Sequence, residues 1–192
     1  MSKPIRVILV TDGDDVAKRA IEVAAKNLNL RCISLSAGSN NFFTGEELVN
    51  FIKEAKWDPV LVMFDDGGKW GEGNGEQNLL YVANHPDINV IGALAVASNG
   101  DRLRCINVDC SIDNKGNFIS SPIDKHGEIK ANDKGNHICG DTVGVLNKLN
   151  IPIVIGIGDL GKMNGADKPE SGAPITTAAI KEILKRSGIS DG

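Results

Sequence analysis

The feature that most constrains this chain is a series of short apolar runs, each of which ends in acidic or small polar residues. Val7-Ile8-Leu9-Val10 comes first and stops at Thr11-Asp12-Gly13-Asp14-Asp15. Val60 to Phe64 ends in Asp65-Asp66, Ile88 to Ala97 ends in Ser98, and Ile153 to Ile157 gives way to Gly158-Asp159. Runs of this kind, rich in β-branched residues and without polar alternation, are the pattern of strands buried on both faces of a parallel sheet. Helical patterns lie between and after them. Ala17, Ala20, Ile21, Ala24 and Leu28 recur at helical spacing. Leu48, Phe51, Ile52 and Ala55 follow a capping box at Thr44-Gly45-Glu46-Glu47, and Glu76 to Asn84 and Ile175 to Arg186 complete the set. The alternation predicts an α/β fold: three layers, α/β/α, with a mostly parallel central sheet, Rossmann-like or Toprim-like.

Weaker signals fill the remaining length. Arg31 to Leu35 reads as a short strand with Ser36 to Asn41 as its exit loop. Cys105 to Ile112 alternates, which predicts a strand nearer the sheet edge, and Asp141 is expected to cap a helix carrying Val145, Leu146 and Leu149. A length of 192 residues suits one core. The expectation is a single α/β domain over 1–192, with a polar excursion at about 101–136.

Right-handed crossovers would bring Asp12, Asp14, Asp65, Asp66, Ser98 and Asp159 to one edge of the sheet, the edge where open α/β proteins bind ligands. Asp12, Asp14, Asp65 and Asp66 offer the hard oxygen ligands that Ca²⁺ or Mg²⁺ prefers. Asp14 and Asp15 also suit the N-cap of the first helix. Gly67 and Gly68 open a glycine-rich stretch to Gly75, whose backbone N–H groups can approach an anion and cover it. Gly156 to Lys162 matches G-x-G-x-x-G and the start of a phosphate-binding loop. However, Met163 stands where that loop needs Ser or Thr, and a polar segment replaces the helix. Lys162 remains a candidate anion contact beside Asp159. No catalytic residue is assigned, because His85, His126 and His137 lie in separate polar segments without triad spacing and are read as surface residues.

A net charge of -4 and an aromatic share of 4% argue against a nucleic-acid partner. No apolar run approaches a membrane span, so a soluble chain without direct membrane insertion is expected. Cys32, Cys105, Cys110 and Cys139 form no C-x-x-C pair and are expected to be reduced, mostly buried thiols. Trp57 and Trp70 are read as packing residues.

Two resemblances attach to these motifs. VILVTDGDDVAKRA resembles the second acidic motif of Toprim domains, which implies Asp12 and Asp14 as metal ligands for phosphoryl transfer. A longer series covers nearly the whole chain: VILVTDGDDVAKRAIE, RCISLSAG, DPVLVMFDDGG, GEGNGE, ANHP, IGALAVAS, GDTV, IPIVIGIGDLGKM and SGAPITT, in that order. Together these blocks resemble the stage V sporulation protein AE family in its soluble form. That resemblance implies a non-enzymatic soluble component of the stage V A machinery for calcium dipicolinate movement in bacterial spores, acting in sporulation and germination. It also implies the other stage V A proteins and calcium dipicolinate as partners, and a location peripheral to the spore inner membrane through those proteins. The alternative is a Mg-dependent Toprim-like phosphoryl-transfer enzyme, which would need a base or a second metal around the same aspartates.

Overall fold

The computed structural model describes residues 3–34, 43–65, 73–99 and 104–189. The apolar runs form β1 (Ile5–Val10), β3 (Val60–Met63), β4 (Ile88–Val96) and β9 (Val154–Ile157), and β2 (Arg31–Ile33) is shorter than its sequence pattern suggests. The helices are α1 (Asp15–Asn27), α2 (Gly45–Glu54), α3 (Asn74–Ala83) and α4 (Pro174–Arg186). Two small strands, β6 (Cys110–Ile112) and β7 (Phe118–Ile119), complete a seven-stranded sheet of order β2-β3-β1-β4-β9-β6-β7. Every pairing in it is parallel except that of β6 with β7. The mostly parallel α/β architecture follows from the apolar runs.

Strand alternation distributes the core over both faces of the sheet. Ile8 and Val10 of β1, with Leu61 and Met63 of β3, pack under Ala17, Ala20, Ile21 and Ala24 of α1 and Ile180 and Ile183 of α4. Val7 and Leu9 point the other way, with Val60 and Val62, toward Leu48 and Ile52 of α2 and Leu79 and Val82 of α3. Each helix shows the sheet its apolar stripe. α1 starts where Asp14 Oδ1 accepts the Val16 and Ala17 N–H groups, both at 2.8 Å, and α2 starts at the Thr44–Glu47 capping box.

The sequence pattern over Cys105 to Ile112 is resolved into two strands. β5 (Arg104–Asn107) leaves the main sheet and pairs antiparallel with β8 (His137–Gly140) as a separate ribbon, while β6 joins β9. Asp141 does not cap an α-helix. Val143–Lys148 forms a 3₁₀ segment, and Thr142 at its N-cap makes no side-chain cap bond. Asp113 organises the polar excursion, its Oδ1 accepting the Lys115 and Asn117 N–H groups at 2.9 and 2.8 Å. The cysteine expectation is corrected for one pair: Cys105 and Cys139 form a disulfide, and Cys32 and Cys110 remain thiols. Local spacing does not reveal a pairing between residues 34 apart in the chain. Trp57, expected to pack, is 51% exposed.

Candidate functional site

β1 and β4 are neighbours, yet their onward connections leave in opposite directions: β2 lies beyond β3 on one side, and β9, β6 and β7 lie on the other. Such a reversal opens a crevice at the carboxyl ends of the strands. A cavity of about 360 Å³ lies there. The end of β1 contributes Thr11, Asp12 and Asp14; β3 contributes Asp65; β4 contributes Val96 to Asn99; and the loop after β9 contributes Asp159 and Lys162. Lys125 of the polar excursion and Asp141 and Thr142 after β8 close the wall.

The structure therefore brings together Asp12, Asp14, Asp65, Asp159 and Lys162 from the sequence-derived set. Asp66, Gly67, Gly68, Trp70 and the Ser36 to Asn41 loop lie outside the described residues. Lys125, Asp141 and Thr142 carried no local signal of a site role, because only the tertiary fold returns them to the sheet edge. Lys125 is held there by its carbonyl, which accepts the Asp159 N–H at 2.8 Å. This approach requires Gly158, where a Cβ would come within 2.8 Å of both the Gly127 nitrogen and the Met163 sulfur.

Asp12 is the electrostatic centre of the crevice. Its Oδ1 accepts the Gly13 N–H at 2.7 Å, while Oδ2 is shielded from solvent and has no hydrogen-bond partner among the described residues. Burial, then the charges of Asp14 and Asp159, push its carboxyl up to about 7. Asp14 behaves differently. Burial alone would raise it, but the Lys162 ammonium and the Ala17 and Val16 N–H groups outweigh that cost and hold it below the ordinary carboxylate range. Lys162 donates to Asp14 Oδ2 and, at 3.1 Å, to Asp159 Oδ2. Burial opposes its charge, yet these two carboxylates raise it above an ordinary lysine. Asp14 is thus both cap and ion-pair partner, and Asp12 is the carboxylate left with an unpaired oxygen.

The loop carrying Lys162 is built to hold its position. Asp167, fully buried, accepts the Gly161, Ile175 and Thr176 N–H groups at 2.9, 2.8 and 2.9 Å and the Thr176 hydroxyl at 2.5 Å. Gly161 adopts a φ of +74°, and a Cβ there would lie 3.0 Å from Val16 and Ala20 of α1. Met163, Asn164 and Ala173 also take positive φ without being glycine, a cost that the surrounding contacts sustain. The half-matched phosphate-loop motif from Gly156 to Lys162 is therefore a strand followed by a loop whose lysine is committed to carboxylates.

Fold and crevice together define a three-layer α/β protein with a small, acidic, partly enclosed cavity at the switch point of a parallel sheet. A family model described as stage V sporulation protein AE1 matches residues 6–187. The chain belongs to that family and so to the proteins of bacterial sporulation. Comparison with curated proteins and with solved structures returns no match. Among the described residues, no helix is long and apolar enough to cross a membrane.

Proposed function

We propose that the chain is a non-enzymatic binding component of the stage V A machinery that moves calcium dipicolinate in sporulation and germination, with the crevice as its ligand site. The observation that carries this reading is the Asp12 Oδ2, a shielded carboxylate oxygen without a donor, in a cavity that also presents Asp65, Asp141, Lys125 and Lys162. A buried polar atom is costly unless paired, and a divalent cation is the partner that suits an unpaired carboxylate among other carboxylates. Asp12, Asp65 and Asp141 line the cavity with hard oxygens that would draw together around Ca²⁺, and Lys125 supplies charge for the carboxylates of a small dianion held beside it, while Lys162 stays paired with Asp14 and Asp159. The other stage V A proteins are the partners in this reading and hold the chain at the spore inner membrane.

Calorimetry on the purified chain tests it. Ca²⁺ alone should bind weakly, and dipicolinate should bind far better with Ca²⁺ than without. Asp12→Asn should weaken both. Absence of binding heat for the cation, the anion and their mixture would reject the crevice as a calcium dipicolinate site.

A further inference from the structure

We infer that Cys105, Cys139 and His137 form a zinc-type metal site that comes into being when the Cys105–Cys139 disulfide is reduced. Strand geometry puts the three side chains together. His137 and Cys139 are two residues apart on β8 and so share a face, and Cys105 of β5 lies directly opposite Cys139 in the antiparallel register. One ligand atom from each of the three can be chosen so that all lie within 4.8 Å of one another. His137 was expected to be an isolated surface residue. Instead its Nε2 meets Asp133 Oδ2 at 3.1 Å; with Nε2 donating to that carboxylate, Nδ1 is the ring nitrogen that would serve the metal. A carboxylate behind the histidine is the arrangement that orients metal-bound imidazoles in proteins.

Two thiolates and one imidazole are soft and borderline donors, suited to Zn²⁺ rather than to the Ca²⁺ or Mg²⁺ that the carboxylates of the crevice would take. Three protein ligands leave the fourth tetrahedral position to water. Cys105 is exposed, so both a reductant and a metal can reach the pair. The conversion balances: a dithiol gives two electrons and two protons to the disulfide, opening it to two thiols and becoming a disulfide itself. Zn²⁺ then displaces the two thiol protons to solvent. The cross-linked and metal-loaded states exclude each other. The ribbon adjoins the crevice, since Ser98 donates its N–H to the Cys139 carbonyl at 3.2 Å and β8 runs through Gly140 into Asp141.

Co²⁺ is the probe, because sulfur-bound cobalt shows a thiolate charge-transfer band that cobalt on carboxylates lacks. The full chain is reduced with dithiothreitol, desalted without oxygen and titrated with Co²⁺ and then Zn²⁺. The reduced chain should show the band, saturating at a single equivalent and bleached by Zn²⁺, and the oxidised chain should show none. Cys32→Ser with Cys110→Ser should keep the band, Cys139→Ser should abolish it, and Asp133→Asn should weaken cobalt affinity by about 10–100-fold. Should Cys139→Ser fail to fold, X-ray absorption on the zinc-loaded wild-type chain decides, by sulfur scatterers at about 2.3 Å with nitrogen at about 2.0 Å. Absence of the band in the reduced chain, a band lost with Cys32 and Cys110, or a zinc shell of light atoms alone would overturn the assignment.

Discussion

Asp167 and Asp12 sit at the same edge of the sheet, one in the loop between β9 and α4 and the other at the end of β1. Asp167 is fully buried and Asp12 has one oxygen shielded from solvent, yet their surroundings are opposite. Asp167 accepts three backbone N–H groups and one hydroxyl, so its charge is spread over fixed donors. Asp12 has one oxygen with no donor, and Asp14 and Asp159 repel its charge. A carboxylate that is satisfied within the chain is explained by the fold. One that the fold leaves unsatisfied is the group on which the proposed ligand site rests.

The comparison can be broken first at Asp167. Asp167→Ala strands four donors, three of them backbone groups that open α4 or position Gly161, and should cost about 3–5 kcal/mol in urea unfolding. Asp167→Asn, which keeps an acceptor, should cost less. A loss under about 1 kcal/mol for the alanine variant would show that water replaces the carboxylate easily and that the loop is not held through it.

Asp12 should respond in the opposite direction, by an amount that grows as pH rises above about 4. Its folded carboxyl titrates at about 7, above its ordinary value of 3.8, so between these values the folded chain holds a proton that the unfolded chain releases. Stability without metal therefore falls as pH rises through that window, and above it the ionised carboxylate costs on the order of 2–4 kcal/mol. Asp12→Asn should match the wild type near about pH 4 and be the more stable chain near about pH 8, by roughly that amount. Equal stability at both pH values would mean that Asp12 ionises without cost.

Lys162 gives the smallest effect. The ion pairs of this lysine are partly exposed, so Lys162→Met should cost no more than about 1 kcal/mol. Its clearer signature is electrostatic: the carboxyl carbon of Asp14, followed by NMR, should titrate at higher pH once the ammonium is gone. An unmoved Asp14 titration would assign its depression to the helix N–H groups alone.

Much of this edge could be read from residue order. Val7 to Val10, Val60 to Phe64, Ile88 to Ala97 and Ile153 to Ile157 are apolar without alternation because both of their faces are covered, and a strand that is buried twice leaves its polar groups only at its ends. That places Asp12, Asp65, Ser98 and Asp159 before any coordinates exist. The side of the crevice built by Lys125, Asp141 and Thr142 was not legible. These residues arrive through the polar excursion and the β5–β8 ribbon, whose pairing depends on contacts distant in sequence and not on local periodicity. The same reason hid the Cys105–Cys139 cross-link and the neighbourhood of His137. Asp141 illustrates the limit, because a good capping residue ahead of Val145, Leu146 and Leu149 still precedes a 3₁₀ segment, with Thr142 at the N-cap position and the Asp141 N–H bonded to Ser98 Oγ at 2.9 Å.

The most direct test of the central claim, the proposed cation site at Asp12, is thermal melting of the wild type and Asp12→Asn near about pH 8 under increasing Ca²⁺. A cation bound to the folded crevice raises stability by mass action and removes the cost of the ionised carboxylate. The account predicts a melting temperature that climbs with Ca²⁺ in the wild type, a flat response in Asp12→Asn, and a wild-type rise that shrinks as pH falls below about 7, where a proton occupies Asp12. A wild-type melting temperature indifferent to Ca²⁺, or an equal rise in both chains, would contradict it.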